Sequence, residues 1–210
     1  IYVECGYSER DAAAEIVRNN LFGLDIDRRA MQLAYFSVMM KARQYDRRFL
    51  TRGIRPHIFA IAESNGLDLH TVNYFVGDDE GLKNDFSSLV HDLHDAKEYG
   101  SILRISPVNF SALYARLAAV EKEGSFDALA VQSAILPLVQ VAKVLSQQYD
   151  VVVTNPPYMG SSGMSAKLSD YVKNNYPDSK SDLFAVFIEV CGQMTKQNGY
   201  QSMITQHAWM

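Results

Sequence analysis

Apolar positions in this chain alternate between short continuous runs and stretches with a period near 3.6, the pattern of strands separated by helices. Ser8-Glu9-Arg10-Asp11 has the spacing of a capping box, and the good helix formers Ala12 to Arg18 predict a short helix to about Asn19. Leu21 to Leu24 reads as a short buried strand running into Asp25-Ile26-Asp27. Beyond it Ala30, Leu33, Ala34 and Met40 recur at helical spacing as far as Tyr45, so the pattern predicts a strand, a tight acidic turn and a helix capped by Asp27. Ile58 to Ala62 predicts a second buried strand, opened by Pro56 and closed by Glu63-Ser64-Asn65-Gly66.

Thr71 to Val76, rich in β-branched and aromatic residues, predicts an edge strand or hairpin arm. Phe86, Leu89, Val90 and Leu93 form a helical stripe, Ile102 to Ile105 a short strand, and Phe110 to Val120 another helix. A long apolar helix is expected from about Phe126 to Gln147, kinked at Pro137, which has no N–H to donate. Tyr149 to Thr154 is a β-branched run of the kind found in the middle of a parallel sheet. A polar, flexible stretch with Gly160-Ser161-Ser162-Gly163 follows. A helix from Asp182 to Lys196, ended by Asn198-Gly199, and a last strand from Tyr200 to Thr205 complete the pattern. Strands separated by helices imply an α/β fold with a doubly wound sheet.

Composition narrows the function classes. Of 210 residues, 48% are hydrophobic and 21% charged, which suits a buried core and excludes disorder. The formal charge of −4 gives no footprint for tight, sequence-independent nucleic-acid binding, so such a role needs a local patch or a part lying elsewhere. Cys5 and Cys191 are too few for a disulfide framework or a thiolate zinc site. No apolar run approaches the roughly 18 residues of a membrane span, and no charged-then-apolar leader opens the chain. The expectation is a cytoplasmic protein without membrane contact. The chain opens at Ile1 and stops at Trp209-Met210 directly after a strand, so it reads as an excised segment.

In open α/β sheets ligands sit beyond the carboxyl ends of strands, which directs attention to Asp25 to Asp27, Glu63, Asn155 to Tyr158 and Gln206 to Trp209. A carboxylate such as Asp25, at the end of a nucleotide-binding strand, can accept from both ribose hydroxyls of an adenosine-containing cofactor. Helix initiation is the competing role of Asp25 and Asp27. Asn155-Pro156-Pro157-Tyr158 is the most specific signal, expected by chance on the order of once in a thousand chains of this length. Two prolines remove two N–H donors and prevent helix, leaving carbonyls that only accept, with the Asn155 amide and the flat Tyr158 ring beside them. That corner suits a planar amine. Two acceptors on its hydrogens localise an otherwise delocalised lone pair, and a ring stacked on the base contributes about 1 to 3 kcal/mol.

These residues resemble the catalytic core of adenine-specific, amino-group DNA methyltransferases that use S-adenosylmethionine, in particular the large BREX or phage-growth-limitation type. Leu21 to Asp27 resembles the family's acidic second-strand motif, Asn155 to Tyr158 its catalytic motif, and Asp182-Leu183-Phe184 with Asn198 to Trp209 the two motifs that follow. The resemblance implies a partial class I, Rossmann-like methyltransferase fold over residues 1–210, with an insertion at about 66–147. It implies catalytic roles for Asn155, Pro156, Pro157 and Tyr158, a ribose contact for Asp25 and an adenine contact for Ile26. Glu63 would receive the cofactor's adenine amino group, with Asp78 as competitor, and Asp182 would close the cofactor pocket or cap a helix. No glycine-rich loop precedes Asp25, since Gly6 stands alone, so the family's first strand and its loop are absent and the sheet is expected gapped or re-paired. Exposed strand edges would then favour self-association. Implied partners are double-stranded DNA, reached through the full-length protein, and defence-system proteins. The alternatives are a methyltransferase acting on a protein glutamine or an RNA base, and a non-catalytic nucleic-acid-binding subunit.

His91 and His94 with Asp92 and Asp95 share a helix face but lack an evident third ligand, so no metal site is expected. Arg43, Arg47, Arg48, Arg52 and Arg55, interleaved with Tyr45 and Phe49, form a basic cluster that would touch phosphate or simply face solvent.

Overall fold

A computed structural model describes residues 1–207, and the expected end of the Asn198–Trp209 motif, at Ala208 and Trp209, lies outside the described residues. The chain divides into two compact units, Ile1–Ala62 and Glu63 onward. The first contains α1 (Glu9–Glu15), β1 (Phe22–Asp25), α2 (Arg28–Tyr45) and β2 (His57–Ala60). Ser8 caps α1 by accepting from the Asp11 N–H at 3.1 Å, and Asp27 caps α2 by accepting from Arg29 N at 2.8 Å, as the sequence predicts. Beyond α1 the chain widens into a π-turn over Ile16–Asn20. Strands β1 and β2 pair in parallel with Asp25 opposite Ala60, and the ladder continues from Ile61 N to the Asp25 carbonyl. Ala14, Val17, Ala42, Phe49 and Ile54 form this unit's core.

The second unit contains α3 (Leu69–Val76), α4 (Glu80–Asp92), α5 (Ala96–Tyr99), α6 (Phe110–Glu121), α7 (Phe126–Ala134), α8 (Leu136–Ser146), β3 (Tyr149–Thr154), α9 (Ala166–Asn175), α10 (Leu183–Met194) and β4 (Thr195–Met203). Helices α3, α4, α6, α7 and α8 enclose Phe75, Phe86, Leu89, Leu113, Val131 and Leu138, each at most 1% exposed. A second cluster sets Ile102, Leu168, Val172 and Tyr176 against Leu183, Val186 and Val190 of α10.

The expected strand at Thr71–Val76 is a helix. The Asp68 carboxylate accepts from Thr71 N at 2.9 Å, and Thr71 and Phe75, four apart, are both buried, so a cap and a helical stripe override β-branched composition. The expected strand at Ile102–Ile105 is a short 3-10 turn and an extended segment, because side chains rather than a neighbouring strand satisfy its backbone. Arg104 N donates to Tyr171 Oη (3.0 Å), Ser106 N to the Asp92 carboxylate (2.6 Å), and Tyr176 Oη to the Ile102 carbonyl (2.6 Å). Burial pushes the Tyr171 phenol up to about 12, so it keeps its proton. Tyr176 is 1% exposed, and Tyr176→Phe would leave the Ile102 carbonyl unsatisfied at a cost of about 1–3 kcal/mol. Heat unfolding should register that loss, and an unchanged midpoint would contradict it.

Pro137 splits the expected long helix into α7 and α8. Together Phe126–Ser146 is long and apolar enough to cross a membrane, contrary to the expectation that no stretch approaches that length. Ile135, Leu138, Val139, Val141 and Ala142 are nonetheless core residues at 1% exposure or less. Helix α10 ends at Met194, and Asn198-Gly199 lies inside β4 rather than between helix and strand. Helix α9, capped by Ser165, lies between the Gly160–Gly163 stretch and α10, where the sequence pattern predicts no element. Strand β3 is not in the middle of a sheet. Among the described residues it pairs only with β4, in parallel, so the four strands form two separate pairs, and Val151 and Val153 are 56% and 72% exposed.

Candidate active site

In the second unit the chain leaves β3 at Thr154 and turns through Asn155-Pro156-Pro157-Tyr158. Pro156 is buried and anchors the corner, while Asn155, Pro157 and Tyr158 are exposed. The Tyr158 hydroxyl donates to the Ile204 carbonyl at 2.9 Å and lies 3.5 Å from Asn155 Oδ1. The loop is also pinned from behind. Leu183 N donates to the Met159 carbonyl and Ser161 N to the Ser181 carbonyl, each at 3.0 Å, forming an antiparallel bridge between Gly160 and Asp182. Asp182 caps α10 through Phe184 N (3.2 Å), and its Oδ2 lies 3.6 Å from where a methyl on Gly160 would stand. The structure thus brings Asp182 beside the Asn155–Tyr158 loop.

Asp25 and Ile26 lie in the first unit. The half-buried Asp25 carboxylate ends β1 and accepts from Asp27 N at 2.8 Å through Oδ1, and Ile26 is 52% exposed. Glu63 opens the second unit and pairs with Lys97 on α5 at 3.0 Å. Asp78 is exposed in the turn between α3 and α4, so no strand leads into it. The Ile204 carbonyl is the contact that sequence reasoning missed, and a backbone oxygen leaves no residue-type signal.

The remaining candidates have structural partners. Asp92 binds Ser106 N, and Asp95 binds Lys167 Nζ (2.6 Å) and Asn65 Nδ2 (2.7 Å), which hold its carboxyl below the usual range. Among the described residues no group of three or more His, Cys, Asp or Glu side chains converges as a metal site. In the arginine cluster, Arg52 pairs with buried Asp46 at 2.5 Å and Phe49 is fully buried, so Phe49 is core rather than an interleaved surface aromatic. Burial pushes the Cys191 thiol up to about 11, which keeps it protonated and unreactive.

Comparison with known proteins gives this corner a context. Over its full length the chain is 42% identical to the adenine-specific methyltransferase PglX of Lacticaseibacillus casei (strain Zhang). It is likewise 37% identical to the adenine-specific methyltransferase BrxX of Escherichia coli O9:H4 (strain HS). It spans only 18% and 19% of the lengths of these curated relatives. The family model of the Eco57I restriction-modification methylases matches residues 19–210, an interval that holds both β1 with its acidic turn and the Asn155–Tyr158 corner. The chain therefore belongs to the Eco57I restriction-modification methylase family.

Proposed function

We propose that the chain is part of the catalytic domain of a DNA adenine N6-methyltransferase of a phage-defence or restriction-modification system, acting on a base flipped out of double-stranded DNA. The observation that carries this reading is the open, donor-poor corner at the end of β3, with the Asn155 amide exposed and the Tyr158 ring tethered beside it. In this reading residues 1–210 belong to a partial, Rossmann-like methyltransferase domain, with 66–147 as its insertion and the open strand edges as sites of self-association. It works in the cytoplasm, beside its DNA and other defence-system proteins.

Asn155 Oδ1 and the Pro156 carbonyl accept the two hydrogens of the adenine amino group, and Tyr158 stacks on the ring. Held this way, the amine directs its lone pair out of the ring plane. The same two acceptors face the positive charge that develops on nitrogen and hold its protons until one is released. Pro157 adds no donor that would compete for those acceptors.

S-adenosylmethionine supplies an electrophilic methyl group when bound. The residues present fit it in part. The Asp25 carboxylate spends only Oδ1 on Asp27 N and suits a ribose diol, and exposed Ile26 offers an apolar surface for adenine. Glu63, paired with Lys97, would accept from the adenine amino group, and Asp182 would serve the cofactor as well as capping α10.

Asp25→Ala in the full-length protein should weaken cofactor binding about 10- to 100-fold, the equivalent of one or two charge-assisted hydrogen bonds. Calorimetry checks this, and an unchanged affinity removes Asp25 from the site. The function itself is tested by methyl incorporation with DNA, RNA and protein acceptors. Transfer to adenine in DNA is expected, and transfer to RNA or glutamine alone overturns the reading.

A further inference from the structure

We infer that the Tyr158 hydroxyl is a positioning group: its bond to the Ile204 carbonyl sets the plane of the ring on which the target base stacks. The inference rests on the reading of the corner given above.

A tyrosine that only stacks needs no hydroxyl, because phenylalanine offers the same face. Here the hydroxyl has a defined use. It donates at 2.9 Å to Ile204, just beyond the end of β4, and so ties the loop after β3 to the segment after the neighbouring parallel strand. The ring is 44% exposed, so packing alone does not fix its rotation, and the hydroxyl at its far end has the longest lever for doing so.

The same bond settles the competition for Asn155. Oδ1 of Asn155 lies 3.5 Å from the hydroxyl, against 2.9 Å for the Ile204 carbonyl, so the phenol proton belongs to Ile204 and the amide oxygen keeps its lone pairs for an incoming amine. Tyr158 therefore acts as a fixed plate and not as a proton acceptor. Two further ties, from Leu183 N to Met159 O and from Ser161 N to Ser181 O, hold the rest of the loop, so loss of the hydroxyl frees the ring without releasing the backbone.

The test compares Tyr158→Phe with Asn155→Ala in the full-length protein, using duplex DNA that carries 2-aminopurine at the target position for the spectroscopic arm. Tyr158→Phe should lower kcat about 5- to 10-fold, the scale of one neutral hydrogen bond. It should leave the KM for S-adenosylmethionine and the unfolding temperature unchanged, and weaken the stacking-dependent quenching of the flipped 2-aminopurine. Wild-type turnover and quenching in Tyr158→Phe, with Asn155→Ala inactive, would overturn the positioning role alone. A parallel loss of thermal stability and cofactor affinity would overturn it too, because the bond would then be merely structural. Full activity in Asn155→Ala would overturn the underlying reading of the corner, and this inference with it.

Discussion

Asn155→Ala in the full-length protein is expected to lower methyl transfer by about 10²- to 10³-fold, the scale on which a single preorganised polar contact to a developing charge acts. An exocyclic amine conjugated to a purine is a weak nucleophile, and the corner offers two acceptors to correct that. Removing one leaves the lone pair delocalised and the developing charge half-supported. Asn155 is exposed, and among the described residues its side chain has one hydrogen-bond neighbour, the Tyr158 hydroxyl at 3.5 Å, so truncation costs little folding energy. The unfolding temperature should therefore stay at the wild-type value, and so should calorimetric affinity for the cofactor. Asp25 and Ile26, the ribose and adenine contacts in this reading, lie on another segment, at the end of β1 and just beyond it. Turnover at the wild-type rate would remove the corner from the chemistry.

What the sequence makes legible follows the range of the forces involved. Ser8, Asp27 and Asp182 cap helices by bonding to an N–H two or three residues away, so their roles can be read from adjacent letters. The Asn155–Tyr158 corner is legible for the same reason, since two prolines dictate their own backbone. Elements decided by distant partners are not. Thr71–Val76 has strand-like composition and becomes helix because Thr71 and Phe75 are buried on one face. The 102–106 segment has strand-like residues but finds Tyr171, Tyr176 and Asp92 instead of a neighbouring strand. Helix α9 was masked by Ser, Lys and Asn, although Leu168 and Val172, four apart, are buried. The tether at Ile204 is a main-chain oxygen 46 residues from Tyr158, and no pattern of side chains announces it.

Gly199→Ala should destabilise the β3–β4 pair by about 3 kcal/mol, the upper end of what an inserted methyl costs in a tight site. Three positions along β3, Tyr149 to Val151, face six along β4, Thr195 to Tyr200. The excess is absorbed in a bulge where Asn198 takes a left-handed φ of 68° and Gly199 follows. A Cβ on Gly199 would stand 2.7 Å from Thr195 Cγ2, 2.8 Å from the Asp150 carbonyl oxygen and 3.0 Å from that of Lys196. Two of these are main-chain atoms. The third is held too, because Thr195 Oγ1 donates to the Cys191 carbonyl at 2.6 Å and fixes the rotamer. Relief therefore requires β4 to move, and β4 leads directly into Ile204 and its hold on Tyr158. The variant should unfold at a lower temperature and also lose methyl transfer, whereas Asn155→Ala loses transfer alone. Wild-type unfolding in Gly199→Ala would mean that the bulge yields without cost and that the catalytic corner does not depend on the register of these two strands.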